Sequence, residues 1–215
     1  DWSYAREPGA MAIGLWALRP TFTPFGADYF VGKPDVFDVL KESFKGALFS
    51  DSSVDDLYLD FAVARAFMGN ADDGQHFPES RTFGPAADLN PDWAIDWPEK
   101  PRRLAPRASL LPTGASYIVV NAEGAKANQR LRVEAEWETH AKMRWTMVRV
   151  GKAGNELGRI YLRAQDRATN AQATVVDLRE ATRIIIVGVN GGDFSHPYDP
   201  DDEITEPHNW LVTVG

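Results

Sequence analysis

Two hydrophobic rhythms divide this chain. In the first third apolar residues return every three or four positions, the spacing that lines one side of a helix. Pro34-Asp35 opens one such run, with Val36, Phe37, Val39, Leu40, Phe44 and Leu48 in step. Ser53 then predicts a helix start, because a serine hydroxyl can accept from the backbone N–H three residues on, and Asp56 there completes a capping box. The spacing assigns this helix an apolar stripe of Leu57, Phe61, Ala64, Phe67 and Met68, and Gly69-Asn70 predicts its stop. Gly9 to Leu18 predicts a further helix that is apolar nearly all round, which needs protein on every side.

From residue 109 onward the rhythm shortens to two. Ser116–Ala122, Arg130–Glu138, Met143–Val150, Gly158–Arg163, Gln172–Leu178, Arg183–Asn190 and Asn209–Val214 read as strands. Arg130–Glu138 alternates most strictly: Leu131, Val133, Ala135 and Trp137 on one face, Arg132, Glu134, Glu136 and Glu138 on the other. The run "RIIIVGVN" is apolar on both faces, which predicts a central strand. Between the two rhythms, residues 71–108 are rich in proline and glycine and keep no period. Phe77, Phe83, Trp93 and Trp97 in this stretch predict an ordered connection pinned by its rings. The fold expected is therefore α+β: a helical segment over 1–70, part of a larger domain, an ordered proline-rich linker over 71–108, and an antiparallel, jelly-roll-like β-sandwich over 109–215.

Composition narrows the chemistry. Hydrophobic residues make up 44% of the 215, enough for a packed core. A net charge of −8 disfavours nucleic acid and anionic lipid as partners. There is no cysteine, so disulfides, thiolate metal sites and a thiol nucleophile are excluded. The longest apolar run, Ile184 to Val189, is far too short to span a membrane. The chain opens on Asp1, which predicts a portion of a longer polypeptide.

Catalytic signatures such as H-E-x-x-H, G-x-S-x-G and the phosphate-binding loop are absent. Gly151, Gly154 and Gly158 read as hairpin glycines. Glu136, Glu138 and His140 share a strand face, which allows a metal trio or, more simply, a charge ladder with arginines such as Arg144. Trp93 and Trp97 could stack a sugar ring or pin the connection to a core. The candidate with the most ligand chemistry is "DFSHPYDPDDEITEPHNW". Asp193, Asp199, Asp201 and Glu203 there offer hard oxygen ligands of the kind calcium takes, although the loop lacks an EF-hand frame; the alternative is a plain acidic connection between the last two strands. His208 and Trp210 are expected to begin the closing strand, with Trp210 and Val212 on one face.

Three stretches taken together, "DDLYLDFAVARAFMG", "YIVVNAEGAKANQRLRVEAEWETHAKMRWTMVRV" and "YDPDDEITEPHNWLVTV", resemble the C-terminal region of large secreted proteins of Gram-negative bacteria that look like gluzincin-type zinc metallopeptidases. The resemblance implies a non-catalytic C-terminal fragment of a longer secreted or envelope protein, with the zinc motif in the missing portion. Its partners would be the remainder of the parent chain or another protein. The competing expectation is an independent hydrolase, acting on carbohydrate, with its carboxylates near 193–206.

Overall fold

The computed structural model describes residues 53–77, 80–126, 128–164, 168–175, 178–192 and 206–215. The helices expected at Gly9–Leu18 and from Pro34 to Leu48, and the four acids Asp193, Asp199, Asp201 and Glu203, lie outside the described residues.

Among the described residues, one helix, α1 (Val54–Arg65), is followed by two 3-10 stretches, Gly69–Ala71 and Ser80–Ala87. The described strands that follow are β1 (Trp93–Asp96), β2 (Arg102–Leu104), β3 (Ala115–Asn121), β4 (Leu131–Trp137), β5 (Met143–Gly151), β6 (Glu156–Leu162), β7 (Asn170–Val175), β8 (Ala181–Asn190) and β9 (Trp210–Val214). They form a β-sandwich of two sheets, a five-stranded one in the order β1-β3-β8-β5-β6 and a four-stranded one in the order β2-β9-β4-β7. Every pairing is antiparallel except β1 with β3, where Trp93 lies beside Ile118 and Asp96 beside Asn121 in parallel register. The proline-rich stretch thus supplies an edge strand to each sheet. Both strands are short, as edge strands bounded by prolines must be.

The alternation in β4 does what its pattern requires. Leu131, Val133, Ala135 and Trp137 are buried against the facing sheet, while Arg132, Glu136 and Glu138 face water. Val212, Val214 and Trp210 line the same inner face from β9, opposite Ile118, Val120, Trp145, Met147, Ile184 and Ile186 of the larger sheet. Trp145 and Trp210 meet edge to face, with ring centroids 5.4 Å apart and planes at 80°.

β8 lies between β3 and β5, and its two apolar faces have separate uses. Ile184 and Ile186 enter the core between the sheets. Ile185, Val187 and Val189 face outward and, with Tyr117, Val148 and Val150, form a second apolar layer under α1. The larger sheet is therefore covered on both sides.

The capping box at Ser53 forms as expected: the Ser53 hydroxyl accepts from Asp56 N–H at 3.2 Å, and Asp56 Oδ2 accepts from Ser53 N–H at 2.9 Å. Two details of α1 differ from the sequence reading. It ends at Arg65 with a cap at Ala66, and Gly69, at φ +66°, opens the next 3-10 turn instead. Its buried face is Leu59, Ala62, Val63, Ala66 and Phe67; Phe61 is 58% exposed, and Leu57, Ala64 and Met68 are only half-buried. The cause is that α1 is apolar on two opposite faces, so periodicity alone could not choose between them. Ala62 and Ala66 let the helix backbone come close to the sheet, which selects their face for the inside.

Candidate functional site

Among the described residues, a dense constellation of ionisable groups sits where α1, the loop after it and β6 converge. Glu156 and Arg159 stand on β6, Asp60 on α1, and Asp73 and His76 on the intervening loop. The imidazole of His76 lies between two carboxylates, with Nδ1 2.9 Å from Asp73 Oδ1 and Nε2 2.9 Å from Glu156 Oε2. Carboxylates only accept, so both ring nitrogens must donate, and this geometry suits the imidazolium. Arg159 grips Glu156 with two bonds, Nε to Oε1 at 2.7 Å and Nη2 to Oε2 at 3.0 Å. Its Nη1 reaches Asp60 at 2.6 Å. The imidazole also stacks flat on Phe67, with centroids 4.3 Å apart and planes 6° from parallel.

Electrostatics follow from this packing. Burial pushes the His76 imidazole down, but hydrogen bonds to Glu156 and Asp73 outweigh it and hold the ring above its ordinary value. Burial pushes Glu156 up, and the bonds from His76 and Arg159 more than reverse that, leaving it below the usual carboxylate range. Every charged tip here is held by another. With both ring nitrogens engaged, His76 has no lone pair to take a proton from a substrate. The cluster is built as a clamp that fastens α1 and its following loop to β6.

Beside the clamp, a groove of roughly 400 Å³ opens between the end of α1 and the outer face of the larger sheet. Ala66, Leu89, Val119 and Ile185 make it apolar. Asp88 at its side is already bound by Asn70, through the backbone N–H at 2.7 Å and Nδ2 at 2.8 Å. Arg183 stands exposed at its rim.

The residues singled out by sequence fall as follows. Glu136, Glu138 and His140 do not converge. His140 is exposed after β4, Glu136 faces Arg103 at 3.9 Å, and Glu138 accepts from Asn209 N–H at 3.0 Å and contacts His208 Nδ1 at 3.2 Å. The Asn209 backbone N–H is the main cause that holds Glu138 below its ordinary value. Arg144 belongs to the other sheet and pairs with Asp55 of α1 at 3.1 Å. Trp93 and Trp97 pack against the sandwich core, and Trp93 donates its indole N–H to Ala105 O at 2.7 Å. Phe77 is half-buried, its ring meeting Phe61 edge to face at 5.9 Å, but Phe83 is 57% exposed and pins nothing inward. Gly154, at φ +84°, turns the β5–β6 hairpin. His208 makes a bridge to Leu110, and β9 itself begins at Trp210. Among the described residues, no three His, Asp or Glu side chains are placed to hold a metal ion. The clamp was not legible beforehand. Its members come from segments up to 99 residues apart, with no motif linking them.

A scan against models of known families finds no match, and a search of curated proteins finds none. Among solved structures, the chain is similar to the pre-peptidase C-terminal domain of a collagenase from Bacillus anthracis, at 9% identity and a TM-score of 0.37, covering 60% of this chain and 99% of that one. It is also similar to the Yersinia pseudotuberculosis-derived mitogen, at 12% identity and a TM-score of 0.33, covering 54% of this chain and 84% of that one. A chitosan-binding module of a chitosanase/glucanase from Paenibacillus sp. IK-5 matches at 17% identity and a TM-score of 0.28, covering 53% of this chain and 75% of that one. The fold assignment rests on this chain's own strand pairing.

Proposed function

We propose that this chain is an accessory, non-catalytic β-sandwich module of a longer secreted protein, and that its larger sheet is a platform that holds the helical region of its own parent. The observation that carries this reading is the outer face of that sheet. Tyr117, Val148, Val150, Ile185, Val187 and Val189 form an apolar surface, and α1, from the helical part of the chain, occupies it. An outer sheet face of a free-standing sandwich is normally polar. Here it is built to be covered, and four polar contacts fix the cover in place: Arg144 to Asp55, Arg159 to Asp60, His76 to Glu156, and the Tyr117 hydroxyl donating to Ala62 O at 3.0 Å. The resemblance to the C-terminal region of gluzincin-like secreted proteins agrees with such a role, in which the peptidase zinc site belongs to the parent.

Val63→Asp tests the platform directly. Val63 is fully buried at the helix–sheet interface, and an unpaired carboxylate there costs about 3 kcal/mol or more. The full chain carrying the substitution should melt earlier and bind a hydrophobic dye that the parent chain does not. An unchanged melting temperature with a dye-silent, monomeric variant would mean that the sheet face does not depend on its helix, and the platform reading would fall.

A further inference from the structure

Beside the end of α1, the outer face of the larger sheet carries two unlike rows of residues. Ala94, Val119 and Ile185 are neighbours across β1, β3 and β8 and form an apolar row. Asp96, Asn121 and Arg183 are neighbours across the same strands and form the next row, which is polar. Ala66, Leu89 and Val150 complete the apolar lining of the groove of roughly 400 Å³ that opens here. Ala94 is exposed, and Val119 and Leu89 are only half-buried, so this lining meets solvent. Small-molecule sites have volumes of about 300–1,000 Å³, apolar walls and a few polar groups that fix orientation.

We propose that this groove binds a small amphipathic carboxylate, its apolar body on Ala94, Val119 and Ile185 and its carboxylate on Arg183. The charge of the groove selects the sign of the ligand. Arg183, exposed at the rim, has no hydrogen-bond or ion-pair partner among the described residues. The arginines around α1 are taken: Arg65 donates to Ala87 O at 2.6 Å, Arg144 pairs with Asp55, and Arg159 with Asp60 and Glu156. The acids near Arg183 are engaged elsewhere. Asp88 accepts from Asn70 through both of its oxygens, at 2.7 and 2.8 Å. Asp96 is separated from Arg183 by β3 and accepts from Asn121 Nδ2 at 3.4 Å. A guanidinium is a planar fork of donors that matches a carboxylate with two parallel bonds. An exposed charge pair alone is weak, so the apolar row beside Arg183 must add its share by removing the ligand's hydrocarbon from water. An apolar cation would gain the row but not the fork, and a small inorganic anion the fork but not the row. The site occupies sheet surface that α1 leaves open, so it stands whether or not the sheet serves as the platform for the parent's helical region.

The probe is sodium octanoate, titrated calorimetrically into the full chain at neutral pH and below micelle formation, with octylammonium chloride and sodium acetate as controls. Octanoate should bind saturably, and both controls about tenfold more weakly or worse. Arg183→Gln, on an exposed side chain, should weaken octanoate about tenfold and bring it level with octylammonium. Ala94→Trp, also at an exposed position, puts an indole into the groove and should abolish octanoate binding at an unchanged melting temperature. Where that indole disturbs the edge strand, Arg183→Gln decides alone. No saturable octanoate binding, equal affinity for octanoate and octylammonium, or octanoate binding that Arg183→Gln leaves intact overturns the proposal. Acetate binding as tightly as octanoate overturns it as well, because the apolar row would then have no part in the site.

Discussion

Gly188 faces the indole of Trp145 across the β5–β8 pairing, and a Cβ built on Gly188 would overlap that ring. Trp145 has nowhere to go, being 1% exposed and locked edge to face against Trp210. Gly188→Ala should therefore destabilise the chain by about 1–3 kcal/mol through overpacking, measured as a lower denaturant midpoint with an unchanged slope. A midpoint equal to that of the parent would show that the sandwich core yields more readily than its packing implies.

The clamp at His76 makes stability depend on pH in a definite direction. The folded imidazole titrates above its ordinary value of 6.5, so its contribution is complete below that value and is lost as pH rises through the folded one. Glu156, held below its ordinary value of 4.5, contributes above that value and loses its contribution as pH falls through the folded one. The clamp is therefore strongest in mildly acidic solution. The melting temperature should fall as pH rises above the ordinary imidazole value of 6.5, and His76→Gln should flatten that part of the profile. Parallel profiles for parent and variant would contradict the clamp.

Tyr117 offers a smaller probe of the same interface. Its hydroxyl donates to Ala62 O, and burial pushes its ionisation up to about 12, with Arg65 opposing. Tyr117→Phe keeps the ring and removes the bond, and should cost about 1 kcal/mol. In an absorbance titration of the parent, one tyrosine should ionise near that value, and the variant should lack it.

Thr113 sits at φ +64°, a left-handed conformation that a β-branched residue adopts at a cost. Its N–H donates to Asn190 O at 2.7 Å, so the turn is held from outside. Thr113→Asn keeps that N–H and tolerates the conformation better, and should raise stability by about 0.5–1 kcal/mol. A neutral or destabilising result would mean the threonine side chain has a use that its exposed position does not reveal.

The period-two stretches were legible because each strand has at least one face that must be buried. β4 shows this most plainly, with Leu131 through Trp137 alternating inward as read. β8 was legible as central for the same reason doubled. The edge strand Arg102–Leu104 was not, since only Leu104 of its three residues is buried, and three residues carry no period. The parallel register of Trp93–Asp96 depends on where β3 lies, which no local pattern encodes. The helical pattern of α1 was visible, but its inward face was decided by the sheet beneath it. The clamp was hidden because charge pairs formed across long sequence separations leave no spacing to find. The calcium-type ligand set of Asp193, Asp199, Asp201 and Glu203 lies outside the described residues, between strands whose positions are established.

β9 comes last in sequence among the described strands, yet it lies inside its sheet, between β2 and β4. Arg102 waits for Val214 and Leu104 for Val212, each more than a hundred residues further on. During synthesis, β2 and β4 are made long before the strand that joins them, and they have no pairing with each other to fall back on. The four-stranded sheet is complete only once Trp210–Val214 has been made, because β2 pairs with β9 and not with β4. Such long-range pairing makes for slow folding. It also exposes the nascent chain to aggregation until β9 has been made.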